Sequence, residues 1–206
     1  MEVSVVIPCF EGYNEGLVDK LYKVLNESSL DKFELVLSTS TKYKKVCQDI
    51  ILLASNRPNL KCYSTKSKNR LDIVKFGVSK CAFNVTILID LEDFSEDSLK
   101  LFSSLVTYDF KSRFNVYFSS LNSLFGIRTY DLHNMLKVCN SFDFKDILNV
   151  CEYLNFSIHC LDTGNIVSFS YLYPQKRLLR KYYRKRRSSI FSTVLCDYIR
   201  DKNLGC

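Results

Sequence analysis

Four short, largely apolar runs, each followed by a segment of helical period, constrain this chain more than any other feature. Val3–Pro8, Phe33–Leu37, Leu60–Tyr63 and Val85–Ile89 are short, uncharged or nearly so, and read as buried strands. Between them, Leu17, Val18, Leu21, Val24 and Leu25 keep a helical spacing up to Asn26. Val46, Ile50, Leu53 and Ala54 do the same within Tyr43–Ala54, and Val74, Gly77 and Val78 within Leu71–Cys81. Strands alternating with helices of this length predict βαβ units and a largely parallel sheet. After Asp109 the pattern changes. Asn115–Ser120, Ser157–Leu161 and Ile166–Tyr171 read as strands, and Asp131–Cys139 and Phe144–Leu154 as helices, which predicts a mixed edge completing the same sheet.

The fourth run carries the chemistry. Val85–Ile89 leads into Asp90-Leu91-Glu92-Asp93, and Ser95-Glu96-Asp97-Ser98 then opens an amphipathic stretch to Val106. This predicts a buried strand that delivers acids to its C-terminal edge, followed by a capped helix. Ligands bind at that edge in open α/β sheets. Asp90 and Glu92 lie one residue apart where the backbone leaves extended geometry, so both can reach one divalent cation. A hard cation such as Mg²⁺ or Mn²⁺, held by one or two carboxylates and by substrate phosphates, is a common nucleotide-binding arrangement. The competing reading is that Glu92, Asp93, Glu96 and Asp97 form a solvated helix N-terminus, which the macrodipole favours.

Composition narrows the class. At 206 residues, 47% hydrophobic and 25% charged, the chain has the makeup of one globular α/β domain. No uncharged apolar run approaches the length of a transmembrane helix, and the immediate opening strand leaves no room for a signal peptide. Reduced thiols in the cytosol are therefore expected, and the sequons at Asn26, Asn84 and Asn155 read as chance. Nine cysteines include no Cys-x-x-Cys pair, and the two histidines, His133 and His159, have no partner at ligand spacing, so no zinc site is predicted. The net charge of +7 is concentrated: Lys176, Arg177, Arg180, Lys181, Arg184, Lys185, Arg186 and Arg187 contribute +8, which leaves −1 for the rest.

Four segments carry a family resemblance. Val3–Pro8 with Cys9-Phe10 resembles the first strand of family 2 glycosyltransferases, which ends in Pro-x-Tyr-Asn-Glu. Pro8 matches, Phe10 stands for the Tyr, and Asn14-Glu15 for the Asn-Glu pair after the insertion Glu11-Gly12-Tyr13. Ile89-Asp90-Leu91-Glu92 looks like the family's Asp-x-Asp strand end. Phe125-Gly126-Ile127-Arg128-Thr129-Tyr130 is similar to the Ser-Gly-Phe-Arg-x-Tyr segment of dolichyl-phosphate mannose and glucose synthases. The stretch from Phe142 to Ile158 resembles their Phe-x-x-Glu helix, with Asp146 in the Glu place, and the strand after it. Two departures stand against these matches. Ser38-Thr39-Ser40-Thr41 replaces the Asp-Asp-Gly-Ser that ends the family's second strand, and the Gly-rich turn expected near Asn69-Arg70 is missing.

The resemblance implies a single GT-A-like α/β domain over residues 1–174, followed by a basic amphipathic helical tail over 175–206. It implies a divergent enzyme that transfers mannose or glucose from a nucleotide sugar, GDP-mannose or UDP-glucose, to dolichyl or polyprenyl phosphate. Asp90 and Glu92 would hold Mg²⁺ or Mn²⁺ and stabilise the leaving group, Arg128 would contact phosphates, and Pro8, Asn14 and Glu15 would border the base. Ser38 and Ser40 could still hydrogen-bond a ribose, although a Ser cannot accept from a diol as a carboxylate does. The alternative is a non-catalytic protein that keeps the fold as a binding or scaffold module. The tail, read as one helix over Lys176–Arg200, suits an anionic membrane surface; a nucleic-acid site or a plain solvated face is also consistent with its residues. A lipid-phosphate acceptor favours the first, which implies peripheral attachment to the cytosolic face of the endoplasmic reticulum and no nucleic-acid partner.

Overall fold

The structure is a computed structural model that describes residues 1–92, 94–106, 115–119, 124–139, 141–142, 147–148, 150–151, 154, 156–162 and 165–169. The predicted tail helix and Asp146 lie outside these residues, and the predicted Phe144–Leu154 helix lies only partly within them. In chain order the elements are β1 (Glu2–Pro8), α1 (Glu15–Glu27), β2 (Lys32–Ser40), α2 (Lys44–Ser55), β3 (Leu60–Thr65), α3 (Arg70–Val78) and β4 (Val85–Ile89). There follow α4 (Glu96–Val106), β5 (Asn115–Ser119), β6 (Leu124–Arg128), α5 (Thr129–Val138), β7 (Ser157–Asp162) and β8 (Asn165–Phe169).

One eight-stranded sheet runs in the order β3-β2-β1-β4-β6-β5-β7-β8. β3, β2, β1 and β4 are parallel. β6 is antiparallel to β4 and to β5, β7 is parallel to β5, and β8 is antiparallel to β7. This is the mixed edge that the sequence predicts. Alternate strand residues feed two cores. Val3, Val5, Ile7, Leu35, Leu37, Ile87 and Ile89 pack with the apolar stripes of α1, α2 and α4. Val6, Val36 and Leu88 pack with α3, α5, Ile147, Val150 and Cys151 on the opposite face. The result is an α/β domain of three layers, with the parallel strands covered on both sides.

Two departures from expectation bear on the site. The strand expected to end at Leu37 continues through Ser38, Thr39 and Ser40, because β3 supplies a pairing partner as far as Ser40 opposite Thr65. All three residues are fully buried. Phe125–Tyr130, expected as a ligand-contacting segment, instead forms most of β6 and the first turn of α5. Leu124, Phe125 and Ile127 are fully buried there, and that burial draws the segment into the sheet.

Gly77 sets how deeply α3 seats. A Cβ built on it would lie 2.6 Å from Ser38 Oγ, 2.9 Å from Ser38 Cβ and 3.0 Å from Val6 Cγ1. Any larger residue would push the helix off β1 and β2, an overpacking that costs about 1–3 kcal/mol. The close seat fixes where the N-terminus of α3, and so Arg70, meets the rim of the sheet.

Candidate functional site

The strand order places a topological switch point between β1 and β4: the chain steps outward from β1 to β2 and β3, then returns to the other side of β1. The crevice beyond the C-terminal ends of these two strands is where open α/β sheets take ligands. The connections that leave the C-terminal ends of these strands include residues 9–14 after β1 and 90–92 and 94–95 after β4, with 66–69 after β3 on the same edge of the sheet.

Asp90 is half-buried at the end of β4. One of its carboxylate oxygens accepts the backbone N–H of Glu92 at 3.1 Å. A short acid bonded to the amide two residues on turns the chain sharply as it leaves the strand. Glu92 is exposed and ion-paired with Arg70. The helix that follows is capped as its sequence predicts: Ser95 Oγ accepts from the Ser98 N–H and Ser98 Oγ from the Ser95 N–H, each at 3.2 Å. Ion pairing of Lys20 with Glu96 ties α1 to α4 below the crevice.

Pro8 closes β1 opposite Ser38 of β2, and the next amide, of Cys9, donates to the Ser38 carbonyl at 2.7 Å. Phe10 turns inward and is 4% exposed. Asn14 is the N-cap of α1, its side-chain oxygen accepting from the Leu17 N–H at 3.2 Å, and Glu15 is exposed in the first turn. Both therefore stand at the crevice edge, with the Asn14 oxygen committed to the helix.

Two of the predicted contacts are not brought to this crevice. Ser38 Oγ is buried beneath α3 with no hydrogen-bond partner, in the interface that Gly77 allows, and Ser40 is buried with its Oγ accepting from the Lys42 N–H at 3.2 Å. Arg128 pairs in register with Val85, at the N-terminal end of β4, whereas Leu124 pairs with Ile89. Four residues of strand, at about 3.3 Å each, separate Arg128 from the Asp90 edge. The antiparallel direction of β6 is the reason. A sequence motif preserves spacing along the chain, and here the strand carrying it is reversed.

Asp90 and Glu92 are oxygen donors of the kind a hard divalent cation takes. Among the described residues no cluster of three or more His, Cys, Asp and Glu is placed to hold a metal. A cation that keeps several waters and completes its shell with phosphate oxygens needs only one or two protein carboxylates, which Asp90 and Glu92 supply. Cys9, Cys47, Cys62 and Cys81 are not in disulfides. Burial pushes the Cys62 thiol up to about 12 and the Cys81 thiol to about 11, which keeps both protonated and inert at neutral pH. His133 and His159 are half-buried, and desolvation lowers both below the ordinary histidine value, as befits neutral structural side chains.

Sequence reasoning passed over Arg70. It is the first residue of α3, its guanidinium carbon 4.1 Å from the centroid of the Phe10 ring and its edge on Glu92. The available signal was positional. Arg70 follows the third strand of a parallel sheet, and its place at a helix start puts it at the edge where ligands bind.

No protein-family model matches the chain, and no curated protein matches it in sequence. Solved structures do match it in fold. A mannosyltransferase from Pyrobaculum calidifontis, in complex with GDP-Man and Mn²⁺, superposes with a TM-score of 0.59 at 13% identity, over 94% of this chain and 67% of that one. A nucleotidyl transferase from Methanothermobacter gives 0.59 at 8% identity, over 89% and 99%. The S. aureus TarS fragment gives 0.54 at 15% identity, over 80% of this chain; the chain spans 59% of the fragment's length. The fold is thus GT-A-like, shared with nucleotide-sugar transferases and nucleotidyltransferases.

Proposed function

We propose that the chain is a divergent transferase that moves mannose or glucose from a nucleotide sugar to a polyprenyl phosphate. The observation that carries this reading is the pair Asp90 and Glu92, set by a tight turn at the end of β4 on the switch-point crevice of a GT-A-like sheet. Asp90 and Glu92 would hold Mg²⁺ or Mn²⁺, which supplies positive charge to a departing diphosphate. Pro8, Asn14 and Glu15 border the crevice from the β1 side. A phosphate acceptor is already ionised, so its oxygen can attack the anomeric carbon while the sugar–diphosphate bond breaks, with no general base required. Ser38 and Arg128 have no part in this proposal, because one lies under α3 and the other at the opposite edge.

A thermal-shift panel of GDP-mannose, UDP-glucose, GDP and UDP, with and without Mn²⁺ or Mg²⁺, tests the reading. A ligand that binds only the folded chain at a hundred times its Kd adds about 2.7 kcal/mol of stability. A cation-dependent rise with one donor, followed by transfer to polyprenyl phosphate, is the expected result. A flat response across the panel contradicts it.

A flat response would favour the non-catalytic reading, which has observations of its own. β2 ends in buried Ser and Thr with no carboxylate, and Glu92 is held by an arginine. The acceptor and the membrane site are proposed from the basic run at 176–187, for attachment to the cytosolic face of the endoplasmic reticulum. Among the described residues no helix is long and apolar enough to cross a membrane. Ending the chain at Pro174 is expected to abolish sedimentation with anionic liposomes and to leave the nucleotide response in place. Undiminished liposome binding by the shortened chain would refute the assignment of the tail.

A further inference from the structure

Three segments of the chain meet across the β1–β4 crevice at one side chain. The Arg70 guanidinium, at the start of α3, covers the ring of Phe10 from the β1 connection and pairs with Glu92 from the β4 connection. Phe10 is 4% exposed, so the arginine acts as a cover over an otherwise buried ring. The side chains of Arg70 and Glu92 are 46% and 59% exposed, so their pair opens to water with little desolvation to overcome. An arginine resting on an aromatic face has lost most of its freedom and presents its N–H edge in a fixed plane, the geometry that matches two oxygens of a carboxylate or a phosphate alike. The N-terminus of α3 adds positive potential at the same place.

We propose that Arg70 is a diphosphate-binding residue, held on Glu92 and exchanged onto phosphate oxygens when a nucleoside diphosphate enters with its cation. The proposal rests on the nucleotide-sugar reading above and adds to it a residue and an exchange. Charge balance drives the exchange. With the pair closed, Glu92 neutralises Arg70, and Arg70 competes with a cation for the Glu92 oxygens. When a dication and a diphosphate enter together, Glu92 turns to the cation and Arg70 to the phosphates, and each charge keeps a partner. Phe10 holds the guanidinium over the crevice in both arrangements.

The exchange predicts effects of opposite sign from one substitution, which a purely structural arginine cannot produce. Calorimetric titration of the full chain would use Mn²⁺ alone, then GDP and UDP in the presence of Mn²⁺. Removing the competitor in Arg70→Ala should tighten Mn²⁺ alone by about two- to fivefold, the range of an exposed ion pair. The same variant should bind the preferred diphosphate about ten- to a hundredfold more weakly, the range of a charge-assisted hydrogen bond. Arg70→Lys should recover part of the diphosphate affinity. Lys68→Ala removes a neighbouring charge, one that lies over the Tyr43 ring, and should tighten Mn²⁺ less than Arg70→Ala does. If Arg70→Ala binds Mn²⁺ no tighter, or the diphosphate as tightly as the unaltered chain, Arg70 does not make the exchange. If the unaltered chain binds neither diphosphate, the nucleotide-sugar reading falls and this inference falls with it.

Discussion

Asp90→Ala is expected to abolish cation-dependent binding of the nucleotide sugar and to lower kcat/KM for transfer by about a hundredfold or more. The size follows from the several kcal/mol of charge stabilisation that a bound cation supplies, at about 1.4 kcal/mol per decade of rate. Alanine also removes the acceptor of the Glu92 N–H, so part of its effect would come from the lost turn. Asp90→Asn separates the two. Asparagine keeps an oxygen for that N–H and loses the charge, so it should melt close to the unaltered chain and still fail to bind donor with Mn²⁺. Isothermal titration of both variants reads the outcome. Donor binding that stays cation-dependent in both would remove Asp90 from the site.

Glu34→Ala is expected to lower stability by about 2–4 kcal/mol, the sum of two buried donors left without an acceptor at about 1–3 kcal/mol each, less what relaxation recovers. Glu34 is 2% exposed in the middle of the parallel sheet. Its carboxylate accepts from Ser4 Oγ at 2.6 Å, from the Ala82 N–H at 2.5 Å and from Lys61 Nζ at 2.6 Å. Ser4 in turn accepts from the Phe83 N–H at 3.2 Å. One acid thus ties β1, β2 and β3 to the connection that enters β4. Lys61 is 43% exposed and can rehydrate, so most of the loss falls on Ala82 and Ser4.

The same group gives the acid limb a shape. Burial raises the Glu34 pKa, but the Ala82 amide, Lys61 and Ser4 together outweigh it and hold the group below the ordinary glutamate value. A carboxylate lowered in the native state binds fewer protons there than in the unfolded chain. Its contribution is therefore complete above the ordinary value and is lost as pH falls through the lower, native one. Urea denaturation of the unaltered chain and Glu34→Gln should show a gap at neutral pH that narrows as the pH falls below the ordinary glutamate value. An equal gap at neutral and at acid pH would mean that the charge of Glu34 does not contribute.

The parallel half of the fold was legible because each strand is a compact apolar run and each helix keeps a stripe that must face one. Val3–Pro8 and Val85–Ile89 admit no other reading in a chain this short, and the Ser95 cap follows from its own residues. Ser38-Thr39-Ser40 fell outside the second strand, read as Phe33–Leu37, because Ser and Thr lack the apolar signal of a buried strand. Pairing with β3 and cover from α3 made up for that missing signal. Arg128 was misplaced for a different reason. Whether a strand runs with or against its neighbour is a property of pairing, and the direction of β6 moved a plausible phosphate contact to the far edge. Arg70 carries no motif at all. Only the three-dimensional meeting of Phe10, Glu92 and the α3 terminus gives it a role.

The central claim is that the crevice between the ends of β1 and β4 holds a nucleotide diphosphate and its cation through Asp90 and Glu92. Crystals grown with Mn²⁺ and GDP or UDP, measured at the manganese absorption edge, test it most directly. The account predicts an anomalous peak coordinated by Asp90 and Glu92, with the diphosphate beside it and Arg70 turned from Glu92 to the phosphates. A manganese or nucleotide site away from this edge, or a crevice in which Arg70 and Glu92 stay paired at saturating ligand, would contradict it.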